Sequence, residues 1–220
     1  DRLEQSQNFD QDLASLIRQT IGEHKRIIFN GNNYSPEWVE EANRRGLLNL
    51  RSAADALPSY IAPKNIELFS RHKIFTATEL RSRYEILMES YCKTRNIEAL
   101  TAIDMADRQI LPAVSRYAQS LSKTLLQKKE VSPAIGCSYE METLQKISIL
   151  SDSLYRGSLQ LKEDLEQAQA ISDTALQARF YEDTILKDLK LMRRDADQLE
   201  TLTSEEYWPF PTYTRLLYSV

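Results

Sequence analysis

The sequence is short of the residues that most enzyme chemistry needs. It holds two histidines, two cysteines and five glycines in 220 residues. No glycine-rich phosphate loop of the P-loop or dinucleotide type is present, and Gly31 is an isolated turn glycine. His24 and His72 sit in polar helix-end settings with no second His or Cys at metal-ligand spacing, so both read as surface or helix-dipole partners. Cys92 and Cys137 are far apart, each in or beside an apolar helical pattern, which points to buried free thiols in a reducing setting rather than a disulfide. No apolar run approaches the ~18 residues of a membrane span, and none resembles a signal-peptide core, so no membrane partner is expected. The chain begins at Asp1 rather than Met, which suggests a fragment and gives the missing signal little weight. A formal charge of −4 and the lack of a basic stripe with interleaved aromatics argue against nucleic acid as a partner.

What is present favours helices. Only seven prolines accompany the five glycines, with 42% hydrophobic and 27% charged residues, a helical globular composition. A chain of this size makes one large or two small domains and buries roughly 70% of its unfolded surface. The organising stretch is Thr76 to Val131, one very long helix or two nearly end to end. Thr76 and Glu79 have the S/T-x-x-E spacing of a capping box. Leu80, Tyr84, Leu87 and Tyr91 begin an apolar face that slips phase near Cys92 to Asn96 and resumes at Leu100, Ile103, Ile110, Val114, Tyr117, Leu121 and Leu125. Pro112 lacks an N–H and crowds the carbonyl four residues back, which predicts a bend around Arg108 to Leu111.

Before that stretch the elements are short. Ser6 to His24 reads as an amphipathic helix, and Ile27 to Phe29 as a short buried strand before the Asn30-Gly31 turn. Ser35 caps and Pro36 opens a helix that Gly46 ends. Ser52 to Leu57 is a helical turn ending at Pro58, and Pro63 opens a helix carrying Ile66, Leu68 and Phe69 toward the core. Beyond the stretch, Tyr139 to Ile171 is helical, with Met141, Leu144, Ile147, Leu150, Leu154, Leu161 and Leu165 on one face. After a cap at Ser172 or Asp173, a last long helix carries Ala175, Leu176, Phe180, Ile185, Leu189, Met192, Ala196, Leu199 and Leu202. The short link implies an antiparallel hairpin. The expected fold is therefore mainly α, a bundle of three to four long helices preceded by short helices and at most one short strand. Pro209 and Pro211 break up the aromatic C-terminal tail, which should be docked against something.

Little catalytic chemistry is legible. The carboxylates, including Glu40-Glu41, Asp104-Asp107, Glu163-Asp164-Glu166 and Glu205-Glu206, lie three or four residues from Arg and Lys and read as solvating charge rather than general acids or bases. Glu98, Asp104 and Asp107 with Arg95 and Arg108 bracket the Pro112 bend as a semi-buried ion-pair network. Tyr84, Tyr91 and Tyr117 read as packing residues. Trp38, Tyr207, Trp208, Phe210 and Tyr213 are the candidate interface residues. No catalytic, cofactor-binding or metal residue is nominated. From residues alone the reading stops at a helical interaction module.

Several strings go further. RIIFNGNNYSPEWVEEANRRGL (Arg26 to Leu47), DALP (Asp55 to Pro58), KNIELF (Lys64 to Phe69), ELRSRYEILMESYCKTRNIEAL (Glu79 to Leu100), IDMADRQILPAV (Ile103 to Val114) and the closing YWPFPTY resemble, in order, the C-terminal part of type III glutamine synthetases, the long bacterial form. Leu125 to Thr201 matches only in helical character. The resemblance implies a cytoplasmic parent that uses ATP and Mg²⁺ to phosphorylate the glutamate side chain before ammonia displaces phosphate. No stretch matches that family's metal, glutamate, ATP or phosphate motifs, so no catalytic or metal residue is carried over and the fragment alone is expected to be inactive. Residues 1–95 then resemble the end of the catalytic domain and residues 96–220 the helical extension, with a joint near Asn96. The implied partners are the rest of the catalytic domain and neighbouring subunits of a homo-oligomer. A free-standing helical adaptor remains the alternative, and a small-molecule site within the bundle a weaker third.

Overall fold

A computed structural model describes residues 3, 4 and 7–218, apart from the side chains of 213 and 214. All regular elements among the described residues are helical, and none of these helices is long and apolar enough to cross a membrane. The chain forms two compact units, Asp1–Arg51 and Ser52–Val220.

In the first unit, α1 (Phe9–Glu23) is capped by Asn8, whose side chain accepts from the Gln11 N–H at 3.4 Å. None of its residues is buried, and Phe9, Ile17 and Ile21 are exposed. The expected strand at Ile27 to Phe29 is absent. A 3₁₀ turn takes Lys25–Ile27, Ile27 is 62% exposed, and no partner strand exists among the described residues. The apolar run is used differently. The Phe29 ring stacks on Trp38 of α2 (Pro36–Arg44) at 4.5 Å, and Arg45 donates to the carbonyls of Arg26 (3.2 Å) and Ile28 (2.6 Å). Glu41 receives both Arg44 and Arg45, which hold its carboxyl down at about 2. Ser35 takes the N-cap position without a side-chain capping bond. Gly46 closes α2 at φ +67°, the left-handed conformation that lets the Leu47 N–H reach back to the Ala42 carbonyl at 2.9 Å.

The second unit starts with α3 (Ala53–Ala56), which Ser52 caps. The helical turn does not stop at Pro58. It continues as a 3₁₀ turn, Leu57–Ile61, because a proline in the first turn sits where the N–H would be unpaired anyway. In α4 (Pro63–Arg71) Ile66 and Phe69 are half-buried, whereas Leu68, expected in the core, is 42% exposed. Both halves of the capping box that starts α5 (Ala77–Met105) are made: Glu79 N–H to Thr76 Oγ1 at 3.2 Å and Thr76 N–H to Glu79 Oε2 at 2.7 Å.

No helix break occurs near Asn96, because α5 runs unbroken through it. Its buried face is Leu80, Met88, Cys92, Ala99 and Ile103, at steps of four, seven and eight residues that half-buried Tyr84, Tyr91, Arg95 and Asn96 fill in. The apparent slip came from following large residues: Leu87 and Leu100 are exposed, and small Cys92 and Ala99 keep the phase. The break comes instead at Ala106–Ile110, a π-helical turn directly before α6 (Leu111–Val131). This is the region Pro112 predicts. Without an N–H, Pro112 cannot continue the regular ladder, and widening the turn relieves its clash with the preceding carbonyl.

The centre of this unit is α7 (Ser138–Ala170), which packs along α6 and α9 and touches α5. Its core face is Ile147, Leu154, Leu161, Leu165 and Ala168, whereas Met141 is exposed. Asp173 caps α8 (Thr174–Phe180), a second π-turn spans Tyr181–Ile185, and α9 (Leu186–Leu202) returns along α7 as the expected hairpin. Here Leu176 is exposed, and Ala178 and Tyr181 are buried instead. A Cβ at Gly157 would lie 2.9 Å from Met192 Cγ, so the glycine lets α9 approach α7 closely. After Thr203 the tail turns through two prolines into α10 (Tyr213–Tyr218).

Candidate functional site

Both π-turns of the second unit are held by polar contacts to neighbouring helices. On the first, Asp107 Oδ1 accepts from Ser158 Oγ at 2.7 Å and Oδ2 from Lys162 Nζ at 2.5 Å. Ser158 is fully buried and Asp107 partly so, and α7 grips the widened turn through a charge-assisted hydrogen bond. The ion-pair network expected around Pro112 is thereby divided. Arg95 pairs with Glu98 (2.5 Å) and Arg108 with Asp104 (3.2 Å) along α5, while Asp107 pairs with α7.

The second π-turn is tied to α5. Tyr91 donates to Glu182 at 2.7 Å, and Tyr181, 2% exposed, donates to Asn96 Oδ1 at 3.3 Å. Burial first, then the Glu182 carboxylate, pushes the Tyr91 phenol up to about 12. Arg95 lies 5.2 Å above the Tyr91 ring, and Arg179 of α8 pairs with Asp55 of α3. Cys92 is buried, its thiol is pushed up by burial, and it lies 3.9 Å from the Thr174 carbonyl, so little of it is thiolate near neutrality.

The aromatic tail rests on the bundle. Tyr207, Trp208 and Phe210 are half-buried against its core: Tyr207 meets the Tyr117 ring at 5.4 Å, and Trp208 meets Phe210 edge-on at 6.1 Å. Tyr117 also shares a hydrogen bond with Tyr139 at 3.1 Å, and Lys128 of α6 pairs with the buried Glu140 of α7. Tyr213 starts α10, and its side chain lies outside the described residues. Trp38 belongs to the first unit, stacked on Phe29. The structure thus brings Tyr207, Trp208 and Phe210 together.

An apolar cleft of about 280 Å³ lies among Ala102, Met105, Ala106, Leu154, Leu189 and Met192, and its one charged wall residue, Arg193, is paired with Asp197 at 2.5 Å. Among the described residues no group of three or more His, Cys, Asp or Glu is placed to hold a metal ion. The sequence reading missed the inward role of Asp107. The available signal was its place beside Ile103, Ala106 and Ile110 on the buried face.

A family described as the glutamine synthetase C-terminal domain matches residues 12–129, more than half of the chain. The chain belongs to the glutamine synthetase C-terminal domain family. It is 38% identical over 208 residues to a glutamine synthetase of Butyrivibrio fibrisolvens, covering 94% of this chain and 30% of that protein. It is 30% identical to a type-3 glutamine synthetase of Dictyostelium discoideum, over 92% of this chain and 28% of that one. A glutamine synthetase of Bacteroides fragilis is 29% identical over 96% of this chain and 29% of its own length. These similarities run past residue 129 into the hairpin that the glutamine synthetase C-terminal domain match leaves out. The chain spans about 30% of the length of these relatives.

Proposed function

We propose that this chain is the C-terminal helical part of a type III glutamine synthetase, and that its task is packing and assembly rather than chemistry. The parent is a cytoplasmic glutamate–ammonia ligase. It uses ATP and Mg²⁺ to form a γ-phosphorylated glutamate that ammonia converts to glutamine, and those ligands are held by the remainder of the enzyme. The observation that carries this reading is the similarity over nearly the whole chain to proteins named glutamine synthetase, of which it spans under a third. The physical character agrees. Asp107, Glu182 and Asp55 each bind a partner on another helix, as structural struts do. The unburied amphipathic α1 needs a cover, and the rest of the catalytic domain supplies one. Residues 1–95 end that domain and 96–220 extend it.

The tail is the proposed assembly element, with Trp38, Tyr207, Trp208, Phe210 and Tyr213 as contacts within the subunit or to its neighbours in a homo-oligomer. Removing residues 207–220 from the full-length enzyme is expected to shift its sedimentation or lower its melting temperature by several degrees. An unchanged particle with normal melting would remove the tail from the assembly.

A further inference from the structure

The best-defined feature left without a role is a pair of carboxyl groups between α7 and α9. Asp164 is 7% exposed, accepting from Gln160 Nε2 at 3.0 Å on Oδ2 and from Gln167 Nε2 at 3.2 Å on Oδ1. Facing it across the α7–α9 packing, Asp188 is only partly buried, but its Oδ2 is shut off from solvent and has no hydrogen-bond donor among the described residues. A buried carboxylate oxygen against another carboxylate is unfavourable unless a proton lies between them.

We propose that Asp164 and Asp188 share one proton and make the α7–α9 hairpin a pH-responsive joint, held more tightly in mildly acidic than in mildly alkaline solution. Among the described residues no ion pair to a cation neutralises either carboxylate. On α7, Lys162 is committed to Asp107, and Glu163 and Glu166 are exposed. On α9, Lys187 and Lys190 are exposed and Arg194 is held by Asp195, which also takes Ser153. At the second π-turn Glu182 is bound by Tyr91 and Asp183 is exposed; on the α5 side Asp104 pairs with Arg108. Burial first, and then Asp164, pushes the Asp188 carboxyl up to about 6. Its folded value is thus raised above the unfolded one, so the folded state holds the extra proton. That stabilising contribution is complete below about 4 and is lost as pH rises through about 6. Above that, two negative charges, one buried and one partly buried, oppose each other across the hairpin. The joint is a property of the bundle and does not depend on the ligase reading.

Thermal unfolding of the whole chain at pH 5 and pH 8, with Asp188→Asn beside wild type, tests this. The asparagine amide can donate to Asp164 at any pH, so the variant should melt about 5 °C above wild type at pH 8 and close to it at pH 5. The second readout, on wild type alone, is the Asp188 carboxyl ¹³C titration, expected to have its midpoint near 6. Hydrogen exchange of α7 and α9 amides, corrected for intrinsic rates, should also accelerate between pH 5 and pH 8. A variant that gains equally at both pH values, or melts lower at pH 8, overturns the proposal. So does a wild-type midpoint in the ordinary carboxylate range, which decides the matter even if the variant does not fold.

Discussion

Leu161→Ala is expected to lower the melting temperature of the chain by about 10 °C. Leu161 is fully buried in α7, the helix on which α5, α6 and α9 converge, and its neighbours cannot collapse into the gap without moving two other helices. Truncating a leucine at such a site costs about 3 kcal/mol in lost transfer energy and residual cavity, and a domain of this size loses about 2–4 °C per kcal/mol. Leu159→Ala is the control: Leu159 is on the same helix but 40% exposed, and its loss should move the melting temperature by less than about 2 °C. Equal effects of the two substitutions would show that α7 is not the centre of the core.

Tyr181→Ala should be about as damaging, and comparison with Tyr181→Phe divides the cause. Tyr181 is the largest of the fully buried side chains, and it sits on the second π-turn. Removing the ring leaves a cavity between α5 and the hairpin worth about 4 kcal/mol. Removing only the hydroxyl leaves the ring in place and gives up one bond of 3.3 Å to Asn96, worth about 1 kcal/mol. Melting curves should therefore place Phe near wild type and Ala roughly 10 °C or more below it. Similar losses for both would mean that the hydroxyl, not the ring, secures the turn.

The two π-turns show which parts of the fold were legible in the sequence and which were not. Pro112 marked the first, because a residue without an N–H must disturb the ladder where it stands. The second, Tyr181–Ile185, contains neither Pro nor Gly, and only its tertiary contacts with α5 and α7 distinguish it from ordinary helix. The Thr76 capping box and the hairpin of α7 with α9 were local or periodic signals, and they survive in the structure. The helix break expected near Asn96 was an error of scale. Cys92 and Ala99 hold the core stripe there, and their small side chains hide it from a reading that follows large residues.

The acidic residues show the complementary error. Charge spacing places Asp164 among exposed neighbours, and Glu163 and Glu166 are indeed exposed, but Asp164 falls beside Leu161, Leu165 and Ala168 on the inward face. Its partner Asp188 is 24 positions away and comes into contact only when the hairpin closes. A pair of that kind has no local signature. The aromatic tail is intermediate: composition announces that it must dock, and the fold supplies the surface, with Tyr117 as a ring partner.

The proposed role is support of a glutamine synthetase by a chain that does not itself carry the reactive groups. Its most direct test is glutamine formation from glutamate, ammonia and Mg²⁺-ATP by the purified 220-residue chain, with circular dichroism confirming that the helices are folded. No glutamine above the enzyme-free blank is expected. Sustained turnover by the folded chain would contradict it.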